Sequence, residues 1–221
     1  LKLKPKYIMN TGGSTGQPFE FYADLRAGMI DSLHQEAQHK KAGFLNGDKI
    51  YVFNGCDIPE TLVAKNIFWK EKRNKKQLPF GSKEFSSHYL NEKNINFYLE
   101  ELNKNPPQFV RSYPSVFHDF TKLLITFGYK TPPFNLKGIQ LTSEVTTPEQ
   151  EAVIKNYWGN IVYFQYGHSE VSVIASKYPD EDCYTFSPIY GVVEILDDKN
   201  QHVAPNETGR IVVTSLHNTV R

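Results

Sequence analysis

The order of apolar runs along the chain predicts an α/β fold, a layered α/β/α body around a largely parallel sheet, followed by a C-terminal antiparallel β portion. Three observations carry that prediction. Helix-period and strand-period stretches alternate with short joints from about residue 93 to residue 167, the strand–helix–strand order that pairs strands in parallel. From about residue 171 the helical period stops, and three strand-like runs follow with turns between them. The chain has 221 residues, of which 39% are hydrophobic, enough for a sizeable core. We therefore divide it into an α/β body over 1–170 and a β-rich portion over 171–221, which closes the same domain or forms a subdomain of it.

A short apolar run, Tyr7 to Asn10, enters a Gly-rich stretch, and "FEFYAD" after Pro18 alternates as a strand does. Over residues 24–42, Leu25, Met29, Leu33 and Ala37 recur at four-residue spacing with Gly43 as a stop, which predicts an amphipathic helix. "KIYVFNG" (49–55) reads as a strand. The basic stretch "WKEKRNKKQLPFGSKEF" (69–85) reads as a solvated loop rather than a nucleic-acid surface. Helices at roughly 93–104, 115–128 and 148–158 precede the strands "QFVRSY", "GIQLTS" and "NIVYFQYG". The last helix has the clearest entry: Thr147 as N-cap, Pro148 in the first turn and Gln150 three residues after the cap. "VSVIASKY", "YGVVEILDD" and "TGRIVVTSL" supply the strands of the β portion.

A net charge of +1 gives no global pull toward nucleic acid or an anionic membrane. No run of 18 apolar residues predicts a membrane span, and the first ten residues lack the apolar core and cleavage site of a signal peptide. Cys56 and Cys183 stand alone, as free thiols do in a reducing cytoplasm, and neither has the neighbours of a tetrahedral zinc site. The first residue is Leu1 rather than Met, from which a piece of a longer chain is expected.

In parallel sheets ligands sit beyond the carboxyl ends of the strands, which directs attention to Arg111–Ser115, Ser143–Glu144 and Tyr166–Glu170. A second stretch looks made for an anion. Of the eight residues in "TGGSTGQP" (11–18), six are Gly, Ser or Thr. A Walker loop requires Gly-Lys-Ser/Thr leading into a helix, whereas here Gly16 is followed by Gln17, Pro18 and a strand pattern. What is left is an inter-strand loop whose backbone N–H groups and hydroxyls can wrap phosphate, or a plain hairpin turn. The segment "YGHSE" then puts an aromatic ring, Tyr166, and a carboxylate, Glu170, directly after a parallel strand. The ring can stack on a base and the carboxylate can reach a hard cation beside phosphates. Each has a plainer reading: Thr11, Ser14 and Thr15 as turn formers, Tyr166 as a core aromatic, Glu144 as a helix cap or solvent-facing acid.

Together these segments resemble the adenylate-forming ligase superfamily, which activates a carboxylate with ATP to an acyl-adenylate and passes the acyl group to a thiol. "TGGSTGQP" is similar to its phosphate loop, "YGHSE" to its Tyr-Gly-x-Thr/Ser-Glu element, and "TGRIVVTSLHN" (208–218) to the stretch that follows. "QLTSEVTTPEQ" and "YGVVEIL" resemble the phenylacetate–CoA ligase-like group, which includes proteins linked to capsular polysaccharide biosynthesis. The resemblance spans roughly residues 7–218 and implies part of the large N-terminal domain of such an enzyme, with 1–170 as its nucleotide-binding core.

The resemblance also implies roles. Thr11, Ser14, Thr15 and the backbone of Gly12, Gly13 and Gly16 would hold the ATP β- and γ-phosphates. Tyr166 would lie against adenine, Ser169 would contact the α-phosphate, and Glu170 would hold Mg²⁺. Ser143 and Glu144, with Gly167 and His168, would line the nucleotide and acyl pocket. Glu170 and Thr11 would be the catalytic pair. The implied small molecules are ATP, Mg²⁺, coenzyme A as acceptor and an aryl or related acid. Two departures stand out: Gln17 occupies a place where many relatives have Lys, and the family's ribose-binding Asp motif and mobile C-terminal lid are not found before Arg221. From these departures we expect an incomplete fragment with little activity of its own, the alternative being a non-catalytic nucleotide- or partner-binding remnant. The sequence leaves the oligomeric state open.

Overall fold

A computed structural model describes residues 6–10, 19–72 and 76–218. The Gly-rich stretch Thr11–Pro18 lies outside the described residues. In chain order the elements are β1 (Lys6–Asn10), β2 (Glu20–Asp24), α1 (Leu25–Lys41), β3 (Ile50–Asn54), the single turn α2 (Glu60–Val63), β4 (Trp69–Glu71) and β5 (Lys83–Ser86). There follow α3 (Ile95–Lys104), β6 (Phe109–Ser112), α4 (Pro114–Thr126), β7 (Gly138–Thr142), α5 (Pro148–Trp158) and β8 (Val162–Gly167). Four strands complete the chain: β9 (Ile174–Lys177), β10 (Thr185–Phe186), β11 (Gly191–Leu196) and β12 (Arg210–Ser215). Among the described residues no helix is long and apolar enough to cross a membrane.

The chain forms two compact units. One, the sheet unit, comprises residues 36–165 and 177–181. The other, the hairpin unit, comprises 1–35, 166–176 and 182–221.

Within the sheet unit the strand order is β8-β7-β6-β3-β5-β4. The pairs β7–β8, β6–β7, β3–β6 and β3–β5 are parallel, and only β4 joins antiparallel, at the edge. Successive side chains leave a strand on opposite faces, and the two faces carry separate apolar clusters. Val110 sits in the larger one with Phe53, Phe85, Tyr98, Phe117, Phe120 and Trp158. Its neighbour Phe109 sits in the smaller one with Phe44, Ile50, Tyr163 and Tyr178. Helices α3, α4 and α5 supply the first cover, and the end of α1 lies on the second face, where His39 Nδ1 meets Tyr163 Oη at 2.6 Å. Each fully buried large side chain of this kind is worth about 1.5–3 kcal/mol of transfer free energy. Two polar side chains inside are paired in a short chain: Trp158 Nε1 donates to Thr121 Oγ1 at 2.9 Å, and Thr121 Oγ1 donates to Phe117 O at 2.7 Å. Helix α5 starts on the expected capping box, with Gln150 N donating to Thr147 Oγ1 and Thr147 N donating to Gln150 Oε1.

Two expectations are corrected. The stretch 69–85 is not a plain loop: it folds into β4 and β5, and β5 enters the sheet beside β3. Its alternation is disguised because Lys83 is a buried position filled by a charge, held by Glu101 and, at 3.4 Å, by Glu71. The apolar stripe of α1 does not face a core either. Leu25, Met29 and Leu33 are 57%, 69% and 63% exposed, and Ala37 is exposed too. The helix buries Ala27 and a polar row instead, Gln35, Gln38 and His39. Part of that row is partnered: Gln35 Nε2 donates to Asp31 Oδ2 at 2.9 Å, the His39 ring meets Tyr163 Oη and Pro79 O, and Tyr178 Oη donates to the backbone carbonyl of Gln38 at 3.0 Å.

The hairpin unit is made of antiparallel pairs: β1 with β2, β9 with β10, and β11 with β12. Its buried apolar cluster is small, Ala27, Val171, Ile174 and Tyr190. Backbones approach closely at Gly191, where a Cβ would stand 2.0 Å from Ser172 O, so only glycine fits.

Candidate functional site

At the carboxyl ends of β3, β6 and β7 the sheet unit holds a cavity of about 270 Å³. Its walls include Val52, Asn54, Phe80, Arg111, Tyr113 and Thr142. The chain leaves β7 abruptly, because Ser143 adopts a left-handed backbone with φ +70° and turns its neighbours out of the sheet. Glu144 Oε2 then accepts the N–H of Ser115 at 3.1 Å, in the first turn of α4. That is a carboxylate on the positive end of a helix, the capping reading of Glu144.

The cavity is charged. Lys72 Nζ donates to Phe80 O at 2.9 Å and pairs with Glu84 Oε1 at 3.1 Å, while Lys70 Nζ approaches Glu84 Oε2 at 3.5 Å. The Arg111 guanidinium lies 5.2 Å from the centre of the Phe80 ring, a cation–π distance. On the same face of the sheet His39 is wholly buried, with Nδ1 on Tyr163 Oη and Nε2 2.9 Å from Pro79 O. Burial, and next the Arg111 charge, push His39 down to about 4. Burial raises Tyr163 well above its ordinary value. The imidazole is therefore neutral at pH 7, and satisfying both contacts puts its proton on Nε2, donated to Pro79 O, with the Tyr163 hydroxyl donating to Nδ1.

The second group of residues follows β8 and belongs to the hairpin unit. A tight turn runs from His168 to Val171, closed by Val171 N donating to His168 O at 3.2 Å, with Val171 at φ +56°. Tyr166 Oη and His168 Nε2 are 2.9 Å apart, and His168 Nδ1 is 3.2 Å from Ser172 Oγ. The two bonds fix the imidazole between them. The Tyr166 ring meets the edges of Tyr184 and Phe186 rather than a packed core, and it is half-buried. Gly167 and Ser169 are exposed. Glu170 is half-buried, and its carboxylate meets no hydrogen-bond or ion-pair partner among the described residues. An unpaired carboxylate oxygen pair of this sort suits a hard cation such as Mg²⁺ in donor chemistry.

Asn218 ties this turn to β2, the strand that leads out of the Gly-rich stretch. Its Nδ2 donates to Tyr22 O at 3.0 Å and to Glu170 O at 3.4 Å. Ser215 Oγ completes the junction, donating to Val171 O at 2.7 Å and accepting from Asn218 N at 2.9 Å. The segments that the sequence singles out around 166–170 and 208–218 are thus one assembly, with the strand beside the Gly-rich stretch attached to it. Of the sequence-predicted residues, Ser143 and Glu144 stand at the end of β7, Tyr166, Gly167, His168, Ser169 and Glu170 at the end of β8, and Thr11, Gly12, Gly13, Ser14, Thr15 and Gly16 lie outside the described residues. Sequence reasoning missed Lys72, Phe80 and Glu84, because they come from the stretch taken for a loop; Lys83 and Phe85 on one face with Glu84 on the other is the period-two signal that marks it as a strand.

No protein-family model matches the chain. Over 125 residues it is 26% identical to Protein CapK of Staphylococcus aureus, a match covering 56% of this chain and 27% of CapK. Among solved structures, 2-hydroxyisobutyryl-CoA ligase in the postadenylation state, in complex with R3-HIB-AMP, superposes with a TM-score of 0.70 at 16% identity, over 97% of this chain and 44% of that one. MbtA of Mycobacterium smegmatis gives 0.62 at 12% identity, over 96% and 37%. A malonyl-CoA ligase with methylmalonyl-CoA and AMP bound gives 0.59 at 14%, over 94% and 43%. The chain spans about a quarter of CapK and less than half of these structures. Its largely parallel sheet with antiparallel strands toward the C-terminus is the fold of the N-terminal domain of the adenylate-forming ligases.

Proposed function

We propose that a protein containing this region activates a carboxylic acid with ATP, releasing pyrophosphate, and passes the acyl group to a thiol, coenzyme A being the acceptor. The observation that carries the reading is the Glu170 carboxylate, left without a partner on a strand-end turn that Asn218 ties to β2. Thr11, Ser14 and Thr15, with the backbone of Gly12, Gly13 and Gly16, grip the β- and γ-phosphates. The Tyr166 ring carries the adenine, Ser169 hydrogen-bonds the α-phosphate, and Gly167 and His168 line the nucleotide side with Ser143 and Glu144. Glu170 supplies the oxygen ligand for Mg²⁺. Bound there, the ion neutralises charge on the phosphates.

In the first step a carboxylate oxygen of the acid bonds to the α-phosphorus, and the bond from that phosphorus to the bridging oxygen breaks, so pyrophosphate leaves with the electron pair. In the second the thiol sulfur bonds to the acyl carbon, loses its proton, and AMP leaves. Positioning and charge neutralisation by this chain's amides and hydroxyls do the work, and no side chain forms a covalent intermediate. The acid is an aryl or related one, and a cytoplasmic site, where ATP is supplied, suits the reaction. The likeness to CapK, with the capsule-linked group noted from the sequence, supports a link to capsular polysaccharide biosynthesis.

Because the region matches less than half of each ligase compared, we assign turnover to the longer arrangement and little to these 221 residues alone. The departure at Gln17 favours a second reading, nucleotide binding without ligation. ATP–pyrophosphate exchange with a panel of aryl acids, run on the longest gene product containing this chain, separates the two. Acid-dependent exchange with thioester and AMP as products supports the ligase. ATP binding without exchange supports the second reading, and AMP found attached to a small acceptor instead of released would contradict both.

A further inference from the structure

We propose that Ser172 and His168 are positioning residues for the nucleotide. Ser172 holds the His168 imidazole in the tautomer that accepts a hydrogen bond from the Tyr166 hydroxyl, and this relay fixes the Tyr166 ring for the purine. The inference rests on the nucleotide-binding part of the proposed function and adds how the base-facing ring is kept in place.

Three observations lead there. The first is the pairing of the imidazole. Tyr166 Oη stands 2.9 Å from His168 Nε2, and Ser172 Oγ stands 3.2 Å from His168 Nδ1. A neutral imidazole donates from one ring nitrogen and accepts at the other. A phenol is a stronger acid than a serine hydroxyl and therefore the better donor. Tyr166 Oη then donates to Nε2, and the ring proton sits on Nδ1, donated to Ser172 Oγ. Rotating the imidazole breaks both bonds, so Ser172 sets the tautomer and the orientation together. The second observation is the footing of Ser172. Its side chain is buried, and the main chain around it is held. Ser215 Oγ donates to Val171 O at 2.7 Å, His168 N donates to Val173 O at 3.3 Å, and a Cβ at Gly191 would stand 2.0 Å from Ser172 O. A hydroxyl on such a backbone is a firm anchor. The third is what the relay holds. The Tyr166 ring is half-buried, and its ring neighbours His168, Tyr184 and Phe186 lie 5.5, 6.5 and 6.4 Å away between centroids, all steeply inclined to it. Tyr184 is itself 42% exposed. Tethering the hydroxyl fixes both side-chain torsions of such a ring. A ring ordered before the ligand arrives spares that ordering cost on binding.

The test has one readout that needs no ligand. Nitrogen NMR of the histidine rings at pH 8 should place the His168 proton on Nδ1 in the unaltered chain, and Ser172→Ala should move it to Nε2. Titration calorimetry then compares Mg-ATP with magnesium tripolyphosphate, which lacks the base. We expect Ser172→Ala and Tyr166→Phe, which keeps the ring, each to weaken Mg-ATP about fivefold while tripolyphosphate stays within about twofold. The double variant should bind no more weakly than either single one, because both changes break the same relay. A His168 proton on Nε2 in the unaltered chain overturns the proposal. So does a folded Ser172→Ala chain that loses Mg-ATP and tripolyphosphate alike, the mark of a merely structural role, and so do additive losses in the double variant. An unaltered chain that takes up no Mg-ATP defeats the nucleotide reading, with the tautomer deciding the relay by itself. Mg-ATP uptake that Ser172→Ala and Tyr166→Phe leave unchanged defeats the relay alone.

Discussion

The two units of the chain are held together in different ways. In the sheet unit a parallel ladder is sealed on both faces by aromatic side chains, with Phe53, Phe85, Phe117 and Phe120 buried and packed ring against ring. In the hairpin unit the buried apolar cluster has four members among the described residues, while Ile8, Phe19, Met29, Leu33 and Ile189 are all exposed. Order there comes from antiparallel ladders and from polar bridges such as Ser215, Asn218 and the Tyr190 hydroxyl, which donates to Asp31 Oδ1 at 2.7 Å. The difference teaches that apolar burial builds the platform, and hydrogen bonding arranges the turn that carries the candidate nucleotide residues.

The largest effect should fall in the sheet unit. Phe120→Ala removes a ring packed against Phe53, Phe117 and Trp158 and should cost about 3–5 kcal/mol in a denaturant titration. A cost below 1 kcal/mol would show that this cluster does not organise the fold. Next comes His39. It titrates near 6.5 in the unfolded chain and at about 4 when folded, so between those values only the unfolded chain takes up a proton. Its contribution is complete above about pH 6.5 and up to about 3 kcal/mol is lost as the pH falls to 4. Stability measured across that window should show the slope, and His39→Gln should flatten it.

The hairpin unit should respond through its polar bridges. Ser215→Ala leaves Val171 O without its donor and releases the N–H groups of His217 and Asn218, an expected loss of about 1–2 kcal/mol, seen most directly as faster amide exchange over 168–173 and 216–218. Unchanged exchange would remove the bridge from the account. The smallest effect belongs to the apolar stripe of α1: Leu33→Ser should change stability by less than about 0.5 kcal/mol. A loss of 2 kcal/mol would restore the amphipathic reading that the burial of α1 contradicts.

How much could be read in advance followed the same division. Helix α5 announces itself because Thr147, Pro148 and Gln150 are local signals, and β6, β7 and β8 do so because strands buried on both faces are short apolar runs. Helix α1 was placed correctly along the chain but its buried face was not, since His39 is tolerated inside through Tyr163 and Pro79, 124 and 40 residues away. Strand β5 was hidden for a related reason: Lys83 looks exposed until Glu101 is brought to it. The turn after β8 was legible because topology puts ligand residues at strand ends. Asn218 was not, because its bond to Tyr22 spans 196 residues. The cavity walls contributed by Lys72 and Glu84 depend on the same long-range placement of β4 and β5.

The central claim is that the turn at 166–170 and the Gly-rich stretch hold a magnesium–nucleotide complex. It is tested most directly by calorimetric titration of the 221-residue chain with ATP, with and without Mg²⁺, beside Glu170→Gln and Tyr166→Ala. The account predicts Mg²⁺-dependent binding, loss of that dependence in Glu170→Gln, and at least tenfold weaker binding in Tyr166→Ala. A chain that takes up no ATP, or one whose binding ignores both substitutions, contradicts it.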